Sequence, residues 1–223
     1  MSSRVVTARD FFGKIAGKYD RAYALPSSES KRRMAKLVAL LSPSCRVLDL
    51  GVGTGRELPA LLDANHEVIG VDVAPEMIEI CGRRSRPIEM HLVDFWSTRL
   101  PFPDSHFGAV LALHGSLAHP PEDADAALRV LSDELARVVV PGGVLLFEVP
   151  SPAFLVAIAQ TAPEIARSTG SDRSLHEDQA LAIAIEARAL SAARWKAAFS
   201  KHFDVRVEPI SAVEQLVVGV RLG

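Results

Sequence analysis

The chain has 223 residues, 48% of them hydrophobic and 23% charged, with a formal net charge of −2. Such a balance excludes wholesale disorder, and it offers neither the basic surface of a general nucleic-acid binder nor an electrostatic membrane anchor. No apolar run approaches the roughly 18 residues of a membrane span, the first ten residues lack the apolar core of a secretory signal, and Cys45 and Cys81 supply no disulfide framework or Cys-rich metal site. A soluble, cytoplasmic protein is predicted.

Strand-like and helix-like segments alternate along the chain. In Ser30 to Leu41 the apolar Met34, Leu37, Val38 and Leu41 share one helical face. The β-rich run Arg46-Val-Leu-Asp-Leu50 follows and ends in a glycine cluster. Glu67 to Val71 and Ile88 to Val93 read as the next two strands, separated by a helix that opens at Pro75. Gly108 to Leu113 and Val144 to Val149 supply a fourth and fifth strand, around a helix from Asp123 to Val138 that stops at Pro141-Gly142-Gly143. Ser174-Leu-His-Glu177 fits a capping box, and Leu181, Ile185, Ala192, Trp195 and Phe199 then predict one long helix. Asp204 to Ile210 and Gln215 to Leu222 close the chain as an antiparallel hairpin, being too near in sequence for a parallel crossover. The prediction is an α/β fold, a doubly wound Rossmann-like sandwich with a seven-stranded, mostly parallel sheet and a C-terminal antiparallel hairpin. Residues 1–223 are expected to form a single domain. Within it, 1–41 is an N-terminal cap with the first helix, 42–150 the core, 151–173 a possible lid, and 174–223 the long helix and terminal hairpin.

In such a sheet, ligands bind beyond the carboxyl ends of the strands where strand order reverses. The turn after the first core strand is Gly51-Val-Gly-Thr-Gly55, in which Gly51, Gly53 and Gly55 permit a tight turn and close approach of a ligand to backbone N–H groups. Asp72 ends the next strand, 21 positions after Gly51, where a carboxylate can accept hydrogen bonds from ribose hydroxyls. The third strand also runs into an acid, Asp94, followed by Phe95 and Trp96, a combination that suits an adenine amino group and ring face. Each acid has a plainer reading: Asp72 at a helix N-terminus, Asp94 capping a loop. A dinucleotide fold asks for G-x-G-x-x-G/A, but the sixth position here is Arg56. Asp49, two residues ahead of the turn, would repel a pyrophosphate and suits a cationic, zwitterionic ligand. S-adenosylmethionine, with a sulfonium and an α-ammonium, fits that chemistry.

Val47 to Gly55 resembles the first motif of the class I S-adenosylmethionine-dependent methyltransferases, Val68 to Met77 their second and Leu92 to Phe95 their third. Leu100 to Val110 and Leu135 to Leu145 are similar to the stretches before their fourth and fifth strands. The resemblance covers about residues 40 to 150. It is nearest to the ubiquinone/menaquinone C-methyltransferase-like group, methyltransferase type 11, whose N-terminal signature Phe11 to Asp20 also resembles. The resemblance implies that Asp49, Gly51, Gly53 and Gly55 serve the methionine moiety, Asp72 the ribose, Val73 and Met77 the adenine face, and Asp94 its amino group. It further implies backbone contacts from Phe95, a reach of Tyr19 to the methionine end, and Leu113 and His114 facing the sulfonium.

Methyl transfer is an in-line displacement on an activated methyl, so alignment supplies much of the catalysis, and a base is needed only where the acceptor loses a proton. His114 and His119, in the loop after the fourth strand, are the catalytic candidates, against a structural role for each. Glu148, ending the fifth strand, is expected to cap the Pro150-Ser151-Pro152 turn, with substrate contact as the alternative. The seven histidines show no ligand spacing, so no metal is expected. Residues 8–30 and 151–173 should select the substrate, with Ala153 to Ala159 as a lid helix or an ordinary packing helix. The function expected is methyl transfer from S-adenosylmethionine, yielding S-adenosylhomocysteine, to an O, N or C atom of a small molecule. No nucleic-acid or membrane partner is expected, and the protein is a monomer or homodimer. The alternatives are an NAD(P)-binding oxidoreductase, a non-catalytic S-adenosylmethionine-binding protein, or related chemistry such as carboxy-S-adenosylmethionine formation.

Overall fold

A short strand β1 (Arg4–Val5) leads into α1 (Ala8–Ile15), a 3-10 turn at Ala16–Lys18, α2 (Tyr19–Ala22) and α3 (Ser27–Val38). The core then alternates β2 (Arg46–Leu50), α4 (Leu58–Asp63), β3 (Glu67–Asp72), α5 (Pro75–Arg84) and β4 (Glu89–Leu92). It continues through β5 (Phe107–Ala112), α6 (Ala124–Val138) and β6 (Val139–Pro150). After β7 (Ala166–Ser168), β8 (Arg173–Asp178) and β9 (Ile183–Arg188), the chain finishes with α7 (Ala192–Phe199), β10 (Phe203–Pro209) and β11 (Glu214–Arg221). The structure, a computed structural model, describes residues 3–23, 27–84, 86–97, 99–154, 157, 166–168, 170 and 172–223.

The main sheet has the order β10-β11-β6-β5-β2-β3-β4. β2 to β6 run parallel to one another, and β11 runs antiparallel to both β6 and β10. This is the doubly wound sandwich with a terminal hairpin that the apolar runs predict. The chain builds outward from β2 through β3 to β4 and then crosses back to β5 on the other side of β2. Strand order therefore reverses between β2 and β5, and the crevice for a ligand opens at their carboxyl ends.

Alternation along the buried strands divides the core into two layers. Leu48, Leu50, Val71 and Phe147 face α6 and α7, packing with Leu128, Leu131, Leu135, Trp195 and Phe199. Val47, Ala109, Leu111 and Leu146 face the other way, with Met34 and Leu37 of α3 and Leu58 and Leu61 of α4. Period-2 burial on both faces is why these strands read as near-continuous apolar runs. β6 starts earlier than the Val144 expected. It runs through Pro141-Gly142-Gly143, and its pairing with β5 shifts register between Phe107 and Ala109.

The segment from 174 to 199 corrects the sequence reading. Ser174 to Glu177 lies in β8 rather than in a capping box, Ile185 lies in β9, and only Ala192–Phe199 is helical. β8 and β9 belong to a second, four-stranded sheet of order β1-β9-β8-β7, in which β1 pairs parallel with β9. Ile183 and Ile185 of β9 bury against Phe11 and Ile15 of α1. Local spacing fits a helix there, but antiparallel pairing of β9 with β8 along its whole length, extended at the other edge by β1, decides the outcome. Of the expected lid, residues 155, 156, 158–165, 169 and 171 lie outside the described residues.

Trp195 is fully buried beside Phe147 and Phe199, and among the described residues its indole Nε1 has no hydrogen-bond partner. Trp195→Ala should lower the unfolding free energy by about 3–5 kcal/mol in chemical denaturation. Trp195→Phe should lower it by only about 1 kcal/mol, because removing an orphan donor offsets part of the lost volume. Equal losses in the two variants would contradict this packing.

Candidate functional site

The turn after β2 is tied to the end of β3 by three hydrogen bonds. The Gly51 and Val52 N–H groups donate to the Val71 carbonyl at 2.8 and 3.0 Å, and the Gly53 N–H donates to Asp72 Oδ2 at 2.9 Å. Two glycines are required by space as well as conformation. Gly51 (φ +79°) would place a Cβ 2.6 Å from Ser116 Oγ, and Gly55 (φ +76°) one 2.7 Å from Cys81 Sγ. Thr54 Oγ1 donates to Asp20 at 2.6 Å, fastening the N-terminal segment to the same turn.

Two of the three strand-end acids are buried. Asp72 accepts from Ala74 N–H through its second oxygen at 2.9 Å, and burial nonetheless raises its carboxyl above the ordinary range. Asp49 is 2% exposed, and among the described residues its Oδ2 has no hydrogen-bond partner. Burial first, then the neighbouring carboxylates of Glu57 and Asp72, push Asp49 well above its usual value. An unpaired carboxylate oxygen aimed at a glycine turn suits a cationic group. Asp94 takes the plainer reading in part: Oδ1 accepts from Trp96 N–H at 3.0 Å, and Oδ2 from Ser97 Oγ at 2.8 Å.

A cavity of about 540 Å³ lies over this turn, within the range of small-molecule sites. Tyr19, Gly51, Gly53, Asp72, Val73, Met77, Asp94 and Phe95 all line it, so most of the proposed cofactor residues are brought together. Asp49 and Leu113 reach a small cleft beneath the turn, which Tyr19, Gly51 and Gly53 also line. Gly55 lines none of these spaces, and its place is against Leu58 and Cys81.

A second cavity, of about 300 Å³, adjoins the first. Its walls carry the rings of Phe12, Tyr19, Tyr23 and Phe154, and it is roofed by β8 and β9 through His176, Ile185 and Ala187. Arg33 and Glu148, both lining it, form an ion pair. That pairing corrects the expected turn role of Glu148: its other oxygen accepts from the His114 N–H at 3.3 Å. Burial, and to a smaller extent His119, depress His176 to about 4, so its ring is neutral. His119 is also depressed by burial, and its Nδ1 lies 2.8 Å from the Glu186 carbonyl. His114 lies at the junction of the two cavities, with its Nε2 bonded to Glu57. Burial alone would raise Glu57, but its hydrogen bond with His114 and the charge of Arg56 hold it below the ordinary carboxylate range. Glu57 and Arg33 carried no motif in the sequence. Glu57's one clue is its place two residues past the glycine cluster.

Residues 47–143 match the methyltransferase domain family. A demethylmenaquinone methyltransferase of Thermus thermophilus is 35% identical over 150 residues, which is 63% of this chain and 65% of that relative. The match thus spans just under two thirds of the relative's length. Among solved structures, Streptomyces venezuelae DesVI is similar with a TM-score of 0.73 at 18% identity, covering 92% of this chain and 98% of that one. A Burkholderia thailandensis 1,6-didemethyltoxoflavin-N1-methyltransferase with bound 1,6-didemethyltoxoflavin and S-adenosylhomocysteine is similar with a TM-score of 0.65 at 17% identity, over 96% and 87% of the two chains. The fold is that of the S-adenosylmethionine-dependent methyltransferases.

Because the folded state holds a proton on Asp49 above the ordinary carboxyl range, it binds more protons than the unfolded state there, and stability falls as pH rises. Asp49→Asn should therefore stabilise the protein without ligand near neutral pH, by about 1–3 kcal/mol. The gain should shrink towards about pH 3, where the carboxyl is protonated in both states. Urea midpoints at the two pH values test this, and a variant no more stable than the parent at neutral pH contradicts the orphaned carboxylate.

Proposed function

We propose that this protein, which carries a methyltransferase domain and the fold of the S-adenosylmethionine-dependent methyltransferases, transfers a methyl group from S-adenosylmethionine to an O, N or C atom of a small organic molecule. One observation carries the assignment of the donor site. The cavity beyond the carboxyl ends of β2, β3 and β4 is lined by Asp72 and Asp94, and the cleft beneath the adjoining turn by Asp49, the most buried of the three, which carries an unpartnered oxygen. In this reading Asp49 faces the α-ammonium, with Gly51 and Gly53 offering backbone at the methionine end and Gly55 holding the turn against α5. Asp72 accepts from the ribose hydroxyls, and Asp94 from the adenine amino group. Val73, Met77 and Phe95 bracket the base, while Tyr19 and Leu113 lie at the methionine end. We read the chain as one methyltransferase domain, with the N-terminal segment and the second sheet as its cap.

When bound, the donor supplies an activated sulfonium methyl, so the protein's task is alignment and exclusion of water. The smaller, ring-lined cavity is the acceptor site. The Thermus relative is named for demethylmenaquinone and the Burkholderia neighbour holds 1,6-didemethyltoxoflavin, and both names support an organic small-molecule acceptor here. Both candidate histidines line both cavities, but His119 is anchored to a backbone carbonyl as part of the wall, whereas His114 also reaches the cleft beneath the turn and is bonded to Glu57. The dinucleotide alternative is not supported, since Arg56 occupies the small-residue position and donates instead to the Tyr23 carbonyl at 3.1 Å.

S-adenosylhomocysteine at about a hundred times its dissociation constant should stabilise the protein by roughly 2.7 kcal/mol, read as a melting shift. NAD and NADP should give none. Asp72→Ala should weaken S-adenosylhomocysteine binding in calorimetry by about 10- to 100-fold, the loss of hydrogen bonds to a charged acceptor. An unchanged affinity would remove the ribose from this position.

A further inference from the structure

Tyr19 and His114 are the residues common to both cavities and to the cleft beneath the glycine turn. If the larger cavity holds the methyl donor, any proton lost by the acceptor must be taken up near these two side chains. Tyr19 cannot take it, because burial pushes its phenol far above the usual range and leaves no phenolate. Arg33 and Arg56 are cations, and Glu148 is already engaged by Arg33 and by the His114 N–H. His119 also lines both cavities, but burial depresses it and its Nδ1 is held to the Glu186 carbonyl, while His176 and Glu214 line only the smaller cavity; the imidazole of His114 is the remaining group that reaches all three spaces.

Its surroundings are arranged for that task. Glu57 is buried and ionised, so it accepts a hydrogen bond, and Nε2 of His114 therefore carries the hydrogen. Among the described residues Glu57 is the ring's one side-chain hydrogen-bond partner, so in the neutral imidazole Nδ1 is the nitrogen left to accept a proton. The backbone holds the ring there at some strain: His114 (φ +53°) and Gly115 (φ +77°) are left-handed in succession. Both are fastened to Glu148, His114 N–H to its carboxylate and Gly115 N–H to its carbonyl at 3.1 Å. Glu57, Arg56, Asp49, Tyr19, Glu148 and Arg33 share the smaller cavity or the cleft with His114, and Tyr23, His119, His176 and Glu214 line the smaller cavity as well.

We propose that Glu57 and His114 form a proton-accepting pair, Glu57 positioning and His114 catalytic, for a flat acceptor bearing an acidic hydroxyl or ring N–H in the smaller cavity. The proposal rests on the methyltransferase reading. The acceptor heteroatom forms the new bond to the methyl carbon, the carbon–sulfur bond breaks with its electron pair going to sulfur, and the acceptor's proton passes to His114 Nδ1. The resulting imidazolium then lies against the Glu57 carboxylate. A methyl acceptor that loses no proton would have no use for this pair.

The test uses the whole chain loaded with S-adenosylhomocysteine and 4-nitrophenol as the probe, whose phenolate band reports its ionisation. An opposite charge in contact lowers such a pKa by about one unit or more, so the bound probe should ionise about one pH unit below the free probe. His114→Asn should abolish that shift, and Glu57→Gln should reduce it to less than about half, with S-adenosylhomocysteine affinity changed by less than about fivefold in either. If the parent fails to bind S-adenosylhomocysteine, the methyltransferase reading itself falls. If it binds S-adenosylhomocysteine but not the probe, or if His114→Asn shifts the probe as the parent does, the proton-accepting pair is overturned. An unaltered shift in Glu57→Gln removes the positioning role. Loss of S-adenosylhomocysteine binding in both His114→Asn and His114→Gln would place the ring in the donor site and overturn the proposal.

Discussion

The arrangement of the site depends on how the turn after β2 is tied to the end of β3. A glycine turn without side chains has many conformations open to it, and three hydrogen bonds select one: two to the Val71 carbonyl and one to the Asp72 carboxylate. The same Asp72 then caps the entry to α5 through Ala74. One carboxylate therefore fixes the turn, the helix entry and one wall of the larger cavity. Gly51 and Gly55 are held to glycine by the side chains of Ser116 and Cys81 that crowd them, so sheet packing and site shape are set by the same atoms.

The second constraint is the cap. β1 reaches across to pair with β9, and α1 buries Phe11 and Ile15 against Ile183 and Ile185. Thr54 and Arg84 both hold Asp20, joining the N-terminal segment to the core at the turn itself. The smaller cavity is bounded by this cap on one side and by the Arg33–Glu148 pair on the other. In the proposed reading, acceptor selection rests with parts distant in sequence from the donor motif. Relatives that share the core over residues 47–143 can thus differ in substrate.

The core was legible because its signals are local. Apolar runs such as Arg46 to Leu50 and Val144 to Val149 are buried on both faces, and the glycine turn, Asp72 and Asp94 follow from strand ends in register. The cap was not legible. Ile183-Ala-Ile-Glu-Ala-Arg188 is rich in helix-compatible residues, and what makes it a strand is tertiary pairing, antiparallel with Arg173–Asp178 along its whole length and parallel with Arg4–Val5 about 180 residues earlier. Glu57, Arg33 and Glu148 share that difficulty. A buried ion pair or a carboxylate–imidazole contact between residues 57 apart, as in Glu57 and His114, leaves no spacing to detect. Glu148 looked like a turn residue because Pro150 and Pro152 follow it, while its true partners lie on α3 and in the loop after β5.

The most direct measurement is a crystal structure of the protein with S-adenosylhomocysteine. The account predicts the adenosyl group in the larger cavity, with its ribose hydroxyls on Asp72, its adenine amino group on Asp94 and the amino acid end turned towards Asp49. Density for the nucleoside in the smaller cavity, or away from the β2 turn, would contradict it.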